Sequence, residues 1–133
     1  MKSQRQQKNL GRSLRKLLAK PALWFKDLER CDIPEIAGVY LISVRGEPYY
    51  IGRTRRLKGR VWDDHFKGDF DSGRLKKYLV DTGECKDKEN ATQFIKRFAR
   101  VQWLEVKSLR PRAFLECYAT AILQPKHGIA MEH

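Results

Sequence analysis

The chain reads as a mixed α/β (α+β) protein with a basic helix at its N-terminus, and three observations predict this. A β-hairpin signal spans residues 38–51, the alternation of Val101, Trp103 and Glu105 marks a third strand, and helical apolar spacing fills the stretches around them. At 133 residues, 41% hydrophobic and 11% aromatic, one domain with a moderate core is expected. Its parts are a basic helical extension over 1–35 and the main domain over 36–133, compact as a whole.

Between Met1 and Lys20 there are seven cations and no acid, and Leu10, Leu14, Leu17 and Leu18 recur at helical spacing. This predicts a basic amphipathic helix that runs on, with a break at Pro21, to Leu28. Residues 1–8, rich in Gln, Lys and Arg, are expected to order only against a polyanion. Cys31 to Ala37 is a connector containing Pro34. The hairpin strands are Gly38–Val44 and Pro48–Ile51, and Pro48, which has no N–H to donate, should face outward.

Turn type decides where two tyrosines point. A three-residue loop over Val44-Arg45-Gly46 puts Tyr40 opposite Tyr50 and both phenols on one face, whereas a two-residue Arg45-Gly46 turn pairs Tyr40 with Ile51 and sends the phenols to opposite faces. Both turns fit the sequence.

Thr54 is the expected N-cap of a helix to Phe66, with Leu57 and Val61 inward and His65 one turn on. A loop with Gly68 and Gly73 leads to a helix over Leu75–Val80. Asp81 to Glu89 is a polar connection, and Asn90 caps a short helix to Arg97. The last helix runs from Pro111, which suits a first turn, to Gln124, where Pro125 stops it. Apolar residues surround most of that helix and leave Glu116 and Thr120 as its polar positions, so it should be largely buried. A buried carboxylate needs a cation, and either a metal ion or an arginine can supply one for Glu116.

Charge narrows the function. Twenty-eight Lys and Arg against 16 Asp and Glu give a net charge of +12 and favour a polyanionic partner, nucleic acid first. Cys31, Cys85 and Cys117 are odd in number and lack CxxC spacing, which disfavours a disulfide framework or structural zinc and implies a reducing, cytoplasmic setting. No stretch approaches the ~18 apolar residues of a membrane span, so a soluble protein without membrane attachment is expected. Arg53, Arg55, Arg56 and Lys58, directly after Tyr50-Ile51-Gly52, form a candidate phosphate-binding cluster.

With Gly38-Val39-Tyr40, Tyr50-Ile51-Gly52, Arg60 ten residues after Tyr50, and Glu116 ahead of Pro125, the sequence resembles the GIY-YIG nuclease family over residues 36–128. The resemblance implies a three-stranded antiparallel sheet flanked by helices, cleaving phosphodiester bonds in DNA with one divalent metal, Mg²⁺ or Mn²⁺. It casts Tyr40 as the general base, Tyr50 as a positioning partner, Arg60 on the scissile phosphate, Glu116 on the metal and Arg53 as a secondary phosphate contact. One hard cation with few protein ligands suits such a site, because magnesium keeps several waters. A phenol of ordinary pKa near 10 is a weak base, so Arg53, Arg56, Arg60 and the metal are expected to lower it.

Two positions depart from the family pattern. Asp64 stands four residues after Arg60, where members carry His or Tyr, and His65 reaches the site only if the helix is rotated or irregular. His127 stands in for an Asn as a candidate polar support. The activity expected is structure-directed or weakly specific DNA cleavage, with RNA also open as substrate and no oligomer interface legible. The competing expectations are a non-catalytic nucleic-acid-binding module on the same fold and a protein or ribosome contact made by the N-terminal helix.

Overall fold

In the computed structural model the described residues are 2–68 and 74–128, with Lys2 and Ser3 described by backbone alone. Gly73 of the expected loop lies outside them. The order is α1 (Lys2–Ala19), β1 (Leu23–Trp24), β2 (Gly38–Val44), β3 (Glu47–Thr54), a π-helix (Gly59–Phe66), α2 (Arg74–Asp81), α3 (Lys88–Phe98), β4 (Ala99–Glu105) and α4 (Leu109–Leu123). The sheet is antiparallel and four-stranded, in the order β1-β4-β2-β3. The extra strand is the short β1, where Leu23 pairs with Val101 and Trp24 with Arg100. A segment expected to continue the first helix therefore pairs with the sheet instead. Pro21 cannot continue a helix, and Gln102 Nε2 already serves the helix end by donating to the carbonyls of Leu17 and Lys20 at 3.1 and 3.0 Å.

The hairpin resolves the turn in an unexpected way. Arg45 and Gly46 both have positive φ, 54° and 79°, so the turn is the two-residue type I′ form. Ser43 nevertheless pairs with Pro48 and Ile42 with Tyr50, which leaves Tyr49 as the extra residue of a β-bulge. The one-residue slip places Tyr40 opposite Gly52 and Tyr50 opposite Ile42, and both phenols share a face. On the outer edge of β3 the carbonyls of Pro48 and Tyr49 accept from the N–H groups of Lys126 and His127 at 3.0 and 2.9 Å, so the chain after α4 protects that edge.

Two cores flank the sheet. One holds Phe25, Tyr40, Ile42, Tyr50, Leu57, Val61, Leu79 and Ile95; the other holds Leu14, Leu17, Val39, Leu41, Ile51, Leu115 and Ala119. The leucine stripe of α1 is thus partly core, with Leu18 left exposed. The helix begins at Lys2, so the described part of residues 1–8, expected to order against a polyanion, forms its first turns. At the start of α3 the cap is Asp87 rather than Asn90, with Asp87 Oδ1 accepting from the Asn90 N–H at 2.8 Å.

Two further expectations change. Helix α4 is not largely buried: Leu109, Phe114, Cys117 and Ile122 are exposed, because only the Leu115–Ala119 stripe meets the sheet. Thr54 Oγ1 accepts from the Arg56 N–H at 3.0 Å as expected, but the following helix has π geometry, and Lys67 N–H reaches the Trp62 carbonyl five residues back at 2.9 Å.

Candidate active site

The two glycines of the paired words are required by close approach. A Cβ at Gly52 would overlap the Tyr40 ring, 2.7 Å from Cε1, and one at Gly38 would overlap the Leu104 carbonyl of β4. Gly52 therefore lets Tyr40 lie across the hairpin beside Tyr50, with ring centroids 6.3 Å apart and planes 19° from parallel. The β-bulge and this glycine together bring the phenols to one place.

His65 completes the cluster. Its Nε2 lies 2.6 Å from the Tyr40 hydroxyl, and its ring packs edge-on to Tyr50 at 4.7 Å. The π-helix explains how a residue five positions after Arg60 gets there. Widening the turn by about one residue brings the fifth residue close to where the fourth sits in an α-helix. Arg60 keeps an ion pair with Asp64 at 3.4 Å while interacting with both phenols. His65 is fully buried, and its Nδ1 has no hydrogen-bond partner among the described residues.

Within the chain itself, electrostatics run against the expected lowering of the Tyr40 pKa. Burial raises the pKa of Tyr40 well above its ordinary value, and the charge and hydrogen bond of Arg60 only partly oppose this. Tyr50 is raised for the same leading reason. The chain's own cations therefore do not lower the Tyr40 pKa below that of a free phenol. Burial drives His65 down to about 3, with Arg60 and Lys76 adding to the effect, so the imidazole is neutral at pH 7. For Arg60 burial works against the charge, but the phenols and Asp64 outweigh it and raise the pKa.

Glu116 comes from the opposite face, on α4. Its carboxylate pairs with Arg53 at 3.3 Å, both side chains being partly open to solvent, so the cation that meets it within the chain is an arginine. Among the described residues no group of three or more His, Cys, Asp or Glu could hold a metal. A magnesium ion that retains most of its waters needs no such group, and Glu116 offers it one partly open carboxylate, for which Arg53 competes. Arg55 and Arg56 are exposed near this pair and Lys58 is half-buried. A shallow depression lined by Arg53, Thr54, Arg55, Leu109 and Arg112 adjoins it.

His127 does not join Tyr40. It sits in a second polar cluster, where its Nε2 is 2.8 Å from Glu84 Oε1, its ring stacks on Tyr78 at 5.9 Å, and Tyr49 donates to Glu84 Oε2 at 2.9 Å. Glu84, Tyr49 and Tyr78 were not singled out from the sequence. Nothing in a polar loop announces that Glu84 will meet a tyrosine displaced by a bulge.

The molecule is thus a small antiparallel α/β domain in which two tyrosines, a neutral histidine and an arginine meet, with the partly open Glu116 of α4 within electrostatic reach of both phenols. Among solved structures it is similar in fold to the GIY-YIG N-terminal endonuclease domain of UvrC from Thermotoga maritima. The magnesium-bound form is 23% identical and matches over 73% of this chain and 88% of that one, with a TM-score of 0.44. A point mutant of the same domain, bound to its catalytic divalent cation, is 22% identical over 74% and 88%, also at 0.44. No family model and no curated protein matches the chain.

Proposed function

We propose that this protein is a metal-dependent DNA endonuclease of the GIY-YIG type, with structure-directed or weakly sequence-specific cutting. The observation that carries the reading is the 2.6 Å contact between the Tyr40 hydroxyl and a neutral, buried His65, with Tyr50 and Arg60 at the same point. The four residues come from β2, β3 and the π-helix, and the deformations that assemble them, a bulge and a widened helix, are irregularities that concentrate at functional sites.

Tyr40 acts as general base in its phenolate form, whose charge Arg60 stabilises, and takes the proton of the attacking water, while neutral His65, with Nε2 2.6 Å from the phenolic oxygen, holds that oxygen in place. Tyr50 holds the water against Tyr40. Arg60 bonds the non-bridging oxygens of the scissile phosphate and stabilises the charge that accumulates there. Glu116, with Arg53 beside it, would hold Mg²⁺ or Mn²⁺, which when bound supplies Lewis-acid stabilisation of the phosphoryl oxygens and leaving group. Arg55, Arg56 and Lys58 track the flanking phosphates, which positions the substrate but reads no bases. Residues 1–35 serve as an extension on the domain formed by 36–133.

The alternative is a non-catalytic nucleic-acid-binding module on the same fold, favoured by the raised Tyr40 pKa and by the arginine already on Glu116. Plasmid and branched-DNA cleavage at low salt, with Mg²⁺, Mn²⁺ or chelator, tests both readings. Metal-dependent cutting by the wild type that disappears in Glu116→Gln is expected for the nuclease. Binding without cutting on every substrate establishes the module instead.

A further inference from the structure

The cations of α1 take no part in the site described above, and their surroundings have a chemistry of their own. Arg5, Lys8, Arg12 and Arg15 recur at steps of three and four residues, so they form one stripe about 15 Å long opposite the buried leucines. No ion pair forms from them among the described residues, and α1 carries no acid. Gln7, Lys8, Arg12 and Arg15 line a shallow polar groove with Tyr118 of α4.

A second groove adjoins it and shares Tyr118. Leu10, Pro111, Phe114 and Tyr118 give it an apolar wall, and Gln6 and Asn9 supply amides. Phe114 is 43% exposed, and Arg110 lies over its ring at 5.6 Å. Cys117, also on this wall, is the neighbour of Glu116, so the groove starts beside the carboxylate of the proposed nuclease site. An aromatic wall with amides, flanked by an unpaired cationic stripe, complements a strand whose base faces are open. A duplex, whose bases are already stacked, offers nothing to the apolar wall.

We propose that the groove between α1 and α4 binds single-stranded DNA, with bases against Phe114 and Tyr118 and phosphates along Lys8, Arg12 and Arg15. This deepens the nuclease reading, and rests on it for the role of leading an unpaired segment of a branched substrate toward Glu116. The binding itself does not require cutting.

Fluorescence anisotropy on the full chain, in chelator so that no cleavage intervenes, compares labelled oligo-dT, a blunt duplex of equal length and poly-glutamate. Oligo-dT is expected to bind about tenfold tighter than either of the others, and Phe114→Ala to weaken oligo-dT by about tenfold while leaving the duplex unchanged. Arg12→Gln with Arg15→Gln should lower the slope of log affinity against log salt by about 1.4. Phe114→Leu, which keeps the apolar volume and removes the π face, reads the same term should the alanine variant misfold. Equal affinity for the duplex overturns the proposal, as does equal affinity for poly-glutamate, which would mark a surface for acidic protein. Indifference of oligo-dT binding to the Phe114 variants overturns it too. A chain that binds oligo-dT as expected but cuts nothing with Mg²⁺ refutes the nuclease reading and leaves this one standing.

Discussion

Two tyrosine–histidine pairs lie on the same side of the sheet and are built for opposite ends. At Tyr49–His127 a carboxylate, Glu84, accepts from the phenol at 2.9 Å, and its other oxygen lies 2.8 Å from the imidazole; Lys126 closes the group with an ion pair at 3.3 Å. Both carboxylate oxygens of Glu84 are used there, and the result is a clasp that fixes the chain after α4 to β3. At Tyr40–His65 no carboxylate fixes the imidazole, whose second nitrogen lacks a partner among the described residues. A histidine held by a carboxylate keeps one tautomer, whereas one without it can change which nitrogen carries the proton. The same two residue types thus make a fastener in one place and, in the other, a neutral imidazole set against the phenol of the candidate site.

The sharpest break of this comparison is between the two phenols. Tyr40→Phe is expected to lower the cleavage rate by about 10²–10⁴-fold. Tyr49→Phe is expected to leave the rate unchanged and cost about 1 kcal/mol of stability through the lost hydrogen bond to Glu84. Single-turnover kinetics with denaturant titration of both variants checks this, and equal kinetic losses would erase the distinction. Next in size is Gly52→Ala, which drives a methyl into the Tyr40 ring and should destabilise the fold by about 1–3 kcal/mol, read from the urea midpoint.

Acid separates the two histidine sites. Because the His65 pKa falls from 6.5 to about 3 on folding, the unfolded chain binds a proton between those values that the folded chain does not. Stability therefore falls as pH drops through that window, by at most about 1.4 kcal/mol per pH unit from this group. Urea midpoints across the window should flatten in His65→Gln. At Glu84, burial pushes the pKa up, but the hydrogen bonds from Tyr49, His127 and Lys126 outweigh it and leave a net lowering from 4.5. Its stabilisation is present above pH 4.5 and is lost as pH falls through its lower folded value. Glu84→Gln should remove that lower limb and, as the smallest effect, cost about 1 kcal/mol at neutral pH with cleavage retained.

The candidate site was legible residue by residue and illegible as geometry. Tyr40, Tyr50, Arg60 and Glu116 stand out by word and spacing, and the two glycines beside the tyrosines are explained by the close approaches they permit. His65 was visible only as a residue one place out of step, since nothing in residues 59–66 dictates a π-helix over an α-helix. The shared face of the phenols could not be read from the turn, because the bulge at Tyr49 overrides the register that an Arg45-Gly46 turn sets. Glu116 was expected on a buried helix and lies on one that is half open. A helical wheel counts apolar residues but does not know that α1 covers only part of α4.

The sequence by itself determined most element types in the main domain and the cationic surface, because periodicity, caps and charge are local properties of the chain; the four candidate residues were marked by family resemblance. Tertiary structure decided the short fourth strand, the bulge that turned Tyr50 toward Tyr40, the widened helix that delivered His65 and the burial that raised one pKa and lowered the other. These depend on how surfaces from distant segments exclude water and compete for the same hydrogen bonds, and no local pattern records that competition.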